Sequence, residues 1–267
     1  MSTIGELAGV VLAAGQGKRL RPLTSVRPKA LCTVAGRTLL DGALARLAPH
    51  VARTAVNAHH HADQLVAALA GRDVHVEVER PVALGTAGAL GNLRGWLAGA
   101  DVLLTNADAC HPVDDDPLGV LLDGWDGERP RLLCACTGLR QDFGDLQYVG
   151  SAALPWWSVR DLPATPAGLY EVSWRQLYAD GRLEVVETPG PAVDCGTPAD
   201  YLRANMLASG GRPVVEPGAV VAGELVRSVV WSGETVAAGE RLVDAIRGAG
   251  VTLQPLANGS PTRSPGE

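Results

Sequence analysis

A glycine-rich basic segment near the N-terminus carries the clearest chemical signal in this 267-residue chain. The segment Gly15-Gln16-Gly17-Lys18-Arg19 directly follows a short apolar run. Small residues allow backbone amides to turn toward an anion, and two adjacent cations would neutralise its charge. These residue types in this order therefore indicate a phosphate-binding loop. On these residues alone, a tight turn with a solvated basic surface is an equal alternative.

The charges around this loop are unevenly distributed. No Asp or Glu occurs between Leu7 and Leu40, although the whole chain has 29 acidic and 23 basic residues and a net charge of −6. The chain contains two lysines, Lys18 and Lys29, and both lie in this acid-free stretch. An acidic chain thus keeps one basic patch, whereas its net charge argues against a nucleic-acid partner or an anionic membrane surface.

Apolar runs that alternate with helical patterns indicate how the loop is positioned. Residues 7–14 form a continuous apolar run typical of a strand buried on both faces, and residues 101–105 predict another buried strand. Strands that alternate with helices over the first ~110 residues predict an α/β fold with a mainly parallel sheet covered by helices. Ligands bind at the carboxyl ends of such strands, where both Gly15 and Asp108 fall. We expect these two distant segments to form one site.

The sequence pattern changes twice in the remainder of the chain. From Arg131 it becomes irregular and rich in Pro and Trp, which predicts inserted segments that cover a substrate. Short apolar pairs separated by Pro-Gly and Gly-Glu turns then indicate a short hexapeptide β-helix. We expect a main domain at residues 1–210, a β-helix-like segment at residues 211–256 and a disordered tail at residues 257–267.

The cysteine content and the hydropathy indicate a cytoplasmic protein. The five cysteines form no CxxC pair and are odd in number, which fits a reducing compartment better than a disulfide framework. No apolar run approaches ~18 residues, and the N-terminus lacks the pattern of a signal peptide. We therefore expect no membrane partner.

A longer signature extends the phosphate-binding loop. It runs Leu12-Ala13-Ala14-Gly15-Gln16-Gly17-Lys18-Arg19-Leu20-Arg21-Pro22-Leu23-Thr24 and continues at Pro28-Lys29. Further segments follow in order: Val56-Asn57-Ala58-His59-His60, Leu84-Gly85-Thr86-Ala87-Gly88-Ala89-Leu90, Asn106-Ala107-Asp108 and Asp194-Cys195-Gly196-Thr197-Pro198. Together they resemble the signature of the sugar-1-phosphate nucleotidylyltransferases over roughly residues 7–208. The C-terminal stretch resembles the short β-helix of the mannose-1-phosphate guanylyltransferase group.

The resemblance implies an enzyme with a Rossmann-like, mainly parallel sheet, flanking helices and a short C-terminal β-helix-like segment. Such nucleotidyltransferases join a nucleoside triphosphate (NTP) to a sugar-1-phosphate and release pyrophosphate, and these two substrates are the expected partners. A phosphate oxygen of the sugar-1-phosphate attacks the α-phosphorus of the NTP. Catalysis then depends mostly on positioning and on charge neutralisation.

The resemblance also implies roles for individual residues. As catalytic residues, Arg19 would hold the phosphates that leave, and Lys29 would bridge the α-phosphate and the sugar phosphate. Asp108 and Asp194 would bind Mg²⁺, which prefers carboxylate and phosphate oxygens. The expected nucleotide contacts are Leu12, Ala13, Gly15, Gly17 and Gly85. The expected sugar contacts are Gly150 and Glu171, since a carboxylate can accept hydrogen bonds from two hydroxyls.

Some of these residues have a structural alternative. Glu171 could equally be a helix-start carboxylate stabilised by the helix dipole, and Asp194 could belong to a plain helix-entry turn. The family usually has Gly where Ala107 stands and Pro where Ala30 stands. The run of three histidines at residues 59–61 suggests a metal cluster, but adjacent side chains diverge, so we expect no metal there.

The resemblance leaves the substrates open. The segment at residues 56–60 and the C-terminal stretch favour GTP with mannose-1-phosphate, and UTP with N-acetylmuramate-1-phosphate is the next candidate. Other sugar, heptose or phosphocholine acceptors are further candidates. A regulatory subunit that binds nucleotide-sugar without turnover is an alternative of a different class, although it would be expected to lack a catalytic cation or a metal carboxylate. The apolar C-terminal segment also offers a surface for homo-oligomerisation.

Overall fold

A seven-stranded sheet forms the centre of the structure, a computed structural model that describes residues 6–111, 116–136, 138, 141–188 and 190–255. The chain groups into two compact units. The first unit comprises Met1–Gln16, Arg27–Cys32 and Thr38–Asp194, and the second comprises Gly17–Val26, Thr33–Arg37 and Cys195–Glu267. Each unit is thus assembled from segments that are separated in sequence.

The elements up to residue 194 alternate between strands and helices over much of their length. The strands are β1 (Leu7–Leu12), β2 (Thr33–Val34), β3 (Arg37–Thr38), β4 (Arg53–Ala58), β5 (His75–Val78), β6 (Asp101–Asn106), β7 (Ala109–Cys110), β8 (Arg131–Ala135), β9 (Gln147–Leu154), β10 (Glu184–Glu187) and β11 (Val193–Asp194). The α-helices are α1 (Leu39–Leu47), α2 (Ala62–Leu69), α3 (Gly85–Asn92), α4 (Arg94–Leu97), α5 (Pro117–Leu122), α6 (Trp156–Val159) and α7 (Arg175–Ala179). Short 3₁₀ turns occupy Lys18–Leu20, Leu23–Ser25 and Lys29–Leu31, and a π-helical turn occupies Tyr170–Trp174.

The main sheet is largely parallel, as the sequence predicted. Its strand order is β10-β8-β9-β6-β1-β4-β5. The pairings of β1 with β4 and β6, of β4 with β5 and of β8 with β10 are parallel, whereas β9 runs antiparallel to both of its neighbours. The carboxyl ends of β1, β4, β5 and β6 consequently lie along one edge of the sheet.

Both faces of this sheet are covered. Val10 of β1 and Leu104 of β6 belong to one hydrophobic cluster, together with residues of α3. Val11 and Leu103, the adjacent residues on the same strands, belong to a second cluster with residues of α1 and α2. Successive side chains of a strand point to opposite faces, so helices on both sides explain the continuous apolar runs of β1 and β6.

The sheet extends beyond the strands that the sequence predicted. Residues from Arg131 onward were expected to form inserted covering segments, but β8, β9 and β10 are strands of the main sheet, so that expectation was wrong for them. A register shift between Leu133 and Cys134 interrupts the pairing of β8 with β9. Such an irregularity breaks the alternation of side chains by which a strand is recognised in a sequence.

The second unit contains helix α8 (Pro198–Ser209) and a stack of short strands. The strands are β12 (Val214–Val215), β13 (Val220–Val221), β14 (Glu224–Val226), β15 (Val229–Val230), β16 (Thr235–Val236), β17 (Arg241–Val243), β18 (Ile246–Gly248) and β19 (Val251–Leu253). Strands β12, β15 and β18 stack in parallel, and so do β13 with β16 and β14 with β17. Each of these later strands therefore lies on the strand one coil earlier, which confirms the predicted short β-helix-like segment.

Buried side chains join α8 to these strands. The Tyr201 hydroxyl donates a hydrogen bond to the carbonyl of Thr33 (2.7 Å) and accepts one from Nε1 of Trp231 (3.0 Å). Both aromatic rings are buried. The domain boundary expected at residue 210 stays a prediction, and the tail expected to be disordered, residues 257–267, lies outside the described residues.

The described helices are all too short or too polar to cross a membrane. The five cysteines are free thiols, and four of them, Cys32, Cys110, Cys134 and Cys195, are buried. Burial, aided by the charge of Asp142, raises the pKa of Cys134 to about 12. Cys136, two residues later, is exposed.

We expect the native protein to have one rapidly reacting thiol, Cys136. Thiolates react with disulfide reagents, and a buried thiol is shielded from the reagent. A thiol titration with a coloured disulfide reagent at about pH 8, near the ordinary thiol pKa, should give about one fast equivalent in the native protein and five after denaturation. The Cys136→Ser variant should lose the fast phase, and a fast phase retained in this variant would contradict the burial of the other four.

Candidate active site

Two strand ends meet at the edge of the main sheet. Leu12, the last residue of β1, pairs with Asn106, the last residue of β6. The amide of Ala107 donates a hydrogen bond to the carbonyl of Leu12 (3.0 Å), which continues the contact beyond the strands. A pocket at this point is lined by Leu12, Ala13, Gly15, Lys29, Ala30, Ala107 and Asp108. The segments expected to form one site therefore do lie together.

A small antiparallel ribbon brings a distant carboxylate to the same place. Strand β11 pairs with β7, so that Asp194 lies opposite Ala109, the residue after Asp108. The side chain of Arg46 on α1 donates a hydrogen bond to the carbonyl of Ala109 (2.7 Å) and attaches this ribbon to the helix. The two aspartates, far apart in sequence, thereby become neighbours.

The side chain of Lys29 lies between these two carboxylates. Its Nζ donates hydrogen bonds to Oδ2 of Asp108 and to Oδ1 of Asp194, the latter over 3.3 Å. The Lys29 side chain is 11% exposed, compared with 30% for Asp108 and 55% for Asp194. Burial lowers the pKa of Lys29, but the charges and hydrogen bonds of the two aspartates together outweigh that effect and raise the pKa above its ordinary value. Lys29 is therefore a cation throughout the neutral pH range.

Two buried polar residues, whose role is not evident from the sequence, support the loop after β1. Oδ1 of Asn57 accepts hydrogen bonds from the amides of Ala13 (2.6 Å) and Ala14 (3.3 Å). Nδ2 of Asn57 donates to Oε1 of Glu79 (2.7 Å). The sequence offered one sign of this role, a polar residue, Asn57, inside the otherwise apolar end of strand β4. Asn57 was identified only as one position of the motif at residues 56–60.

The predicted nucleotide contact Gly85 lies at the start of α3. A methyl group there would lie 2.6 Å from the carbonyl oxygen of Ala167, and its φ of +69° also disfavours a side chain. The Ala87 amide donates to the Ala167 carbonyl (3.0 Å), and the Ala167 amide donates to the Leu84 carbonyl (2.9 Å). The backbone around Ala167 packs closely against the start of α3. This packing explains why residue 85 is a glycine without reference to a ligand.

The predicted sugar contacts lie in different surroundings. Gly150 of β9 has a φ of +91°, and a methyl group there would lie 2.8 Å from Cβ of Ala109 and 3.2 Å from Nδ2 of Asn106. Gly150 is thus next to the carboxyl end of β6. Glu171 is exposed in the π-helical turn, and its carboxylate lies over Gly168.

Two predicted phosphate-binding residues, Gly17 and Arg19, belong to the second unit. The carbonyl of Gly17 accepts hydrogen bonds from the hydroxyl of Thr24 (2.8 Å) and the amide of Leu20 (2.9 Å), and these bonds stabilise the 3₁₀ turn. The side chain of Arg19 is exposed. The phosphate contacts of both residues stay predictions.

Asp108 and Asp194 form a donor set that suits a hard divalent cation. Both hold the Lys29 ammonium, so one oxygen of each lies within reach of a single cation. Across the described ranges, no group of three or more His, Cys, Asp or Glu residues could hold a metal ion. Mg²⁺ is commonly bound by one or two carboxylates together with substrate phosphates. The donor set therefore fits Mg²⁺ that binds with a phosphate ligand.

Comparison with known proteins gives a consistent result. The family described as the MobA-like NTP transferase domain matches residues 9–249. An N-acetylmuramate alpha-1-phosphate uridylyltransferase of Caulobacter vibrioides is 32% identical over 240 residues, which cover 76% of this chain and 97% of that protein. A molybdenum cofactor guanylyltransferase of Rhodobacter capsulatus is 30% identical over 207 residues, which cover 74% of this chain and 95% of that protein.

Solved structures resemble the fold. A structure described as mannose-1-phosphate geranyltransferase from Thermus thermophilus has a TM-score of 0.68 at 20% identity and covers 93% of this chain and 94% of its own. HddC from Yersinia pseudotuberculosis has a TM-score of 0.59 at 20% identity and covers 74% of this chain and 97% of its own. These identities show the fold alone, and they confirm the predicted Rossmann-like α/β architecture. With a family match over most of its length and the expected signature at the strand ends, the chain belongs to the MobA-like NTP transferase domain family and is a nucleotidyltransferase.

Proposed function

We propose that the chain transfers a nucleotidyl group from an NTP to a sugar-1-phosphate and releases pyrophosphate. The placement of Lys29 between Asp108 and Asp194, beside a pocket at the ends of β1 and β6, carries the proposal. This site combines a buried cation with carboxylates suited to a metal, and both are needed where two phosphates react. The uridylyltransferase from C. vibrioides, which by its name acts on a sugar phosphate, supports the acceptor class.

The residues perform the reaction mainly by positioning charged groups. Leu12, Ala13 and Gly15 meet the nucleoside, while Arg19 and the amide of Gly17 hold the phosphates that leave. Lys29 holds the α-phosphate and the incoming sugar phosphate together, as a compact ammonium with three donors can. Charge neutralisation at the attacked phosphorus is the main catalytic contribution expected in phosphoryl-type transfer.

Asp108 and Asp194 would hold Mg²⁺, which when bound neutralises phosphate charge and orients the NTP. The same carboxylate oxygens already bind the Lys29 ammonium. One ammonium and one divalent cation would compete for these oxygens, so a bound metal would favour a Lys29 side chain that turns toward phosphate. We propose that this exchange couples metal binding to NTP binding.

The substrate pair is a finer proposal. The extensive match to the uridylyltransferase of C. vibrioides supports UTP with N-acetylmuramate-1-phosphate, which we place first. The motif at residues 56–60 and the C-terminal strands support GTP with mannose-1-phosphate as the second candidate. On the acceptor side, Gly150 and the exposed carboxylate of Glu171 are the proposed sugar contacts.

The cellular setting is also a proposal. We propose that the protein is cytoplasmic, because its cysteines are free thiols and its proposed substrate, NTP, is found there. In the second unit, Val215 and Val220 are 44% and 62% exposed, so a homo-oligomer formed through these strands stays a prediction.

A screen for pyrophosphate release tests the reaction, with each common NTP paired with each common sugar-1-phosphate. We expect activity with UTP or GTP, and a loss of about 10²–10³-fold in kcat for Lys29→Ala because a charge-neutralising donor is removed. Lys29→Arg should lose most activity, since a planar guanidinium fits poorly between two phosphates, whereas Lys18→Arg should retain it. Similar losses in the two Lys→Arg variants would refute the distinct role of Lys29. Tight nucleotide-sugar binding without turnover would instead favour the regulatory subunit.

Metal binding without nucleotide tests the competition between Lys29 and the metal. Mn²⁺, a spectroscopic substitute for Mg²⁺, can be titrated and observed by electron paramagnetic resonance. The Lys29→Met variant should bind Mn²⁺ about tenfold more tightly than the wild type, because two adjacent carboxylates lose their counter-charge. Lys18→Met is the matched control and should leave the affinity unchanged, while adding Asp108→Asn to Lys29→Met should abolish the gain. Equal or weaker binding by Lys29→Met would contradict the competition.

A further inference from the structure

A buried amide and a buried carboxyl group stand in contact beside the pocket. Asn57 is 3% exposed and Glu79 is 2% exposed. Asn57 lies in β4 between Val56 and Ala58, which belong to a hydrophobic cluster. Burying such groups costs free energy unless their polar atoms are hydrogen-bonded, so the pair requires a compensating arrangement.

A chain of hydrogen bonds offsets this cost and runs along the carboxyl ends of the strands. At one end, Oδ1 of Asn57 accepts from the amides of Ala13 (2.6 Å) and Ala14 (3.3 Å). In the middle, Nδ2 of Asn57 donates to Oε1 of Glu79 (2.7 Å). At the other end, Oε2 of Glu79 accepts from the amide of Leu84 (2.7 Å). Both ends of the chain are therefore backbone amides.

The two ends coincide with the proposed nucleoside contacts. Ala13 lines the pocket after β1, and Leu84 directly precedes Gly85 at the start of α3. These segments are far apart in sequence, and neither supplies the side chains that connect them. The distance between the Ala13 segment and the Leu84–Gly85 segment is thus set by the side chains of Asn57 and Glu79.

From this arrangement we propose that Asn57 and Glu79 are positioning residues for the nucleoside. They fix the distance between the Ala13 segment and the Leu84–Gly85 segment, and thereby set the affinity for the NTP. The amides of Ala13 and Ala14 already serve Asn57, so base recognition relies on other groups of these segments. The inference rests on the proposed function, because its ligand is the NTP of that reaction.

The direction of the hydrogen bonds makes the proposal testable. Both terminal partners are donors, so the pair needs an acceptor at each end and one donor in the middle. Glu79→Gln places an amide where two acceptors are needed, and Asn57→Asp removes the central donor. Combining both substitutions moves the carboxylate to position 57 and the amide to position 79, which restores every hydrogen bond with the central one reversed.

The experiment measures the dissociation constants of UTP and GTP, each with Mg²⁺, by calorimetry at one fixed pH. We expect Asn57→Asp and Glu79→Gln each to weaken binding of the preferred NTP about tenfold, since each breaks a bond to a buried charged group. The double variant should recover to within about threefold of the wild type. In turnover, the KM for the NTP should change while the KM for the sugar-1-phosphate does not.

A matched Glu→Gln control separates positioning from stability. Glu184 lies on β10, the outermost strand on the side of the sheet opposite β5, and accepts a hydrogen bond from Nε of Arg131 (2.7 Å). Glu184→Gln should lower the melting temperature without changing NTP affinity. If either single variant fails to fold, Glu79→Asp, which keeps the charge but shortens the side chain, takes its place with the same expected loss.

The outcomes distinguish this inference from the proposed function. Folded single variants that bind NTP like the wild type, or a double variant no better than the singles, would overturn the positioning role while leaving the reaction intact. A wild-type protein that binds neither UTP nor GTP would overturn the proposed function and with it the ligand of this inference.

Discussion

One ammonium group held between two carboxylates is the interaction on which the arrangement of the site depends. Lys29 follows the glycine-rich loop after β1, Asp108 follows β6, and Asp194 ends β11. Their convergence requires the parallel pairing of β1 with β6 and the antiparallel pairing of β7 with β11. Since a mostly buried ammonium is costly without partners, these pairings and this charge cluster support each other.

The two sides of the site are built differently. On the proposed nucleoside side, the buried pair Asn57 and Glu79 supports backbone segments through hydrogen bonds to their amides. The proposed acceptor side includes Glu171, an exposed residue in a π-helical turn, and π-helical turns often occur at functional sites. A buried support on the NTP side and an exposed carboxylate on the acceptor side fit the proposed reaction of a bound NTP with a sugar-1-phosphate.

The sequence predicted the parts of this structure that leave a local pattern. The buried strands β1 and β6 appear as apolar runs, and the rule that ligands bind at the carboxyl ends of such strands placed Gly15 and Asp108 in one site. The antiparallel strand β9 was missed because two extra residues, Val149 and Gly150, interrupt its pairing with β8, and no local pattern indicates which distant strand it joins. The pair of Asn57 and Glu79 was missed because its meaning lies in hydrogen-bond partners that are remote in sequence. Contacts of α8 with the C-terminal strands were unpredictable for the same reason.

Two residues that differ from the family pattern, Ala30 and Ala107, lie in the same pocket, and both are small and uncharged. Ala30 and Ala107 both line it, are 2% and 3% exposed, and belong to one hydrophobic cluster together with Ala13. At position 107 a methyl group replaces a hydrogen. At position 30 a methyl group replaces a proline ring and a backbone N–H is gained, so the substitutions alter volume and one hydrogen-bond donor and leave the charges intact. Reaction class follows from the charged groups, whereas the fit of a substrate follows from pocket volume and hydrogen bonds. The departures therefore bear on which substrate is accepted, and they leave the charged groups of Lys29, Asp108 and Asp194 in place.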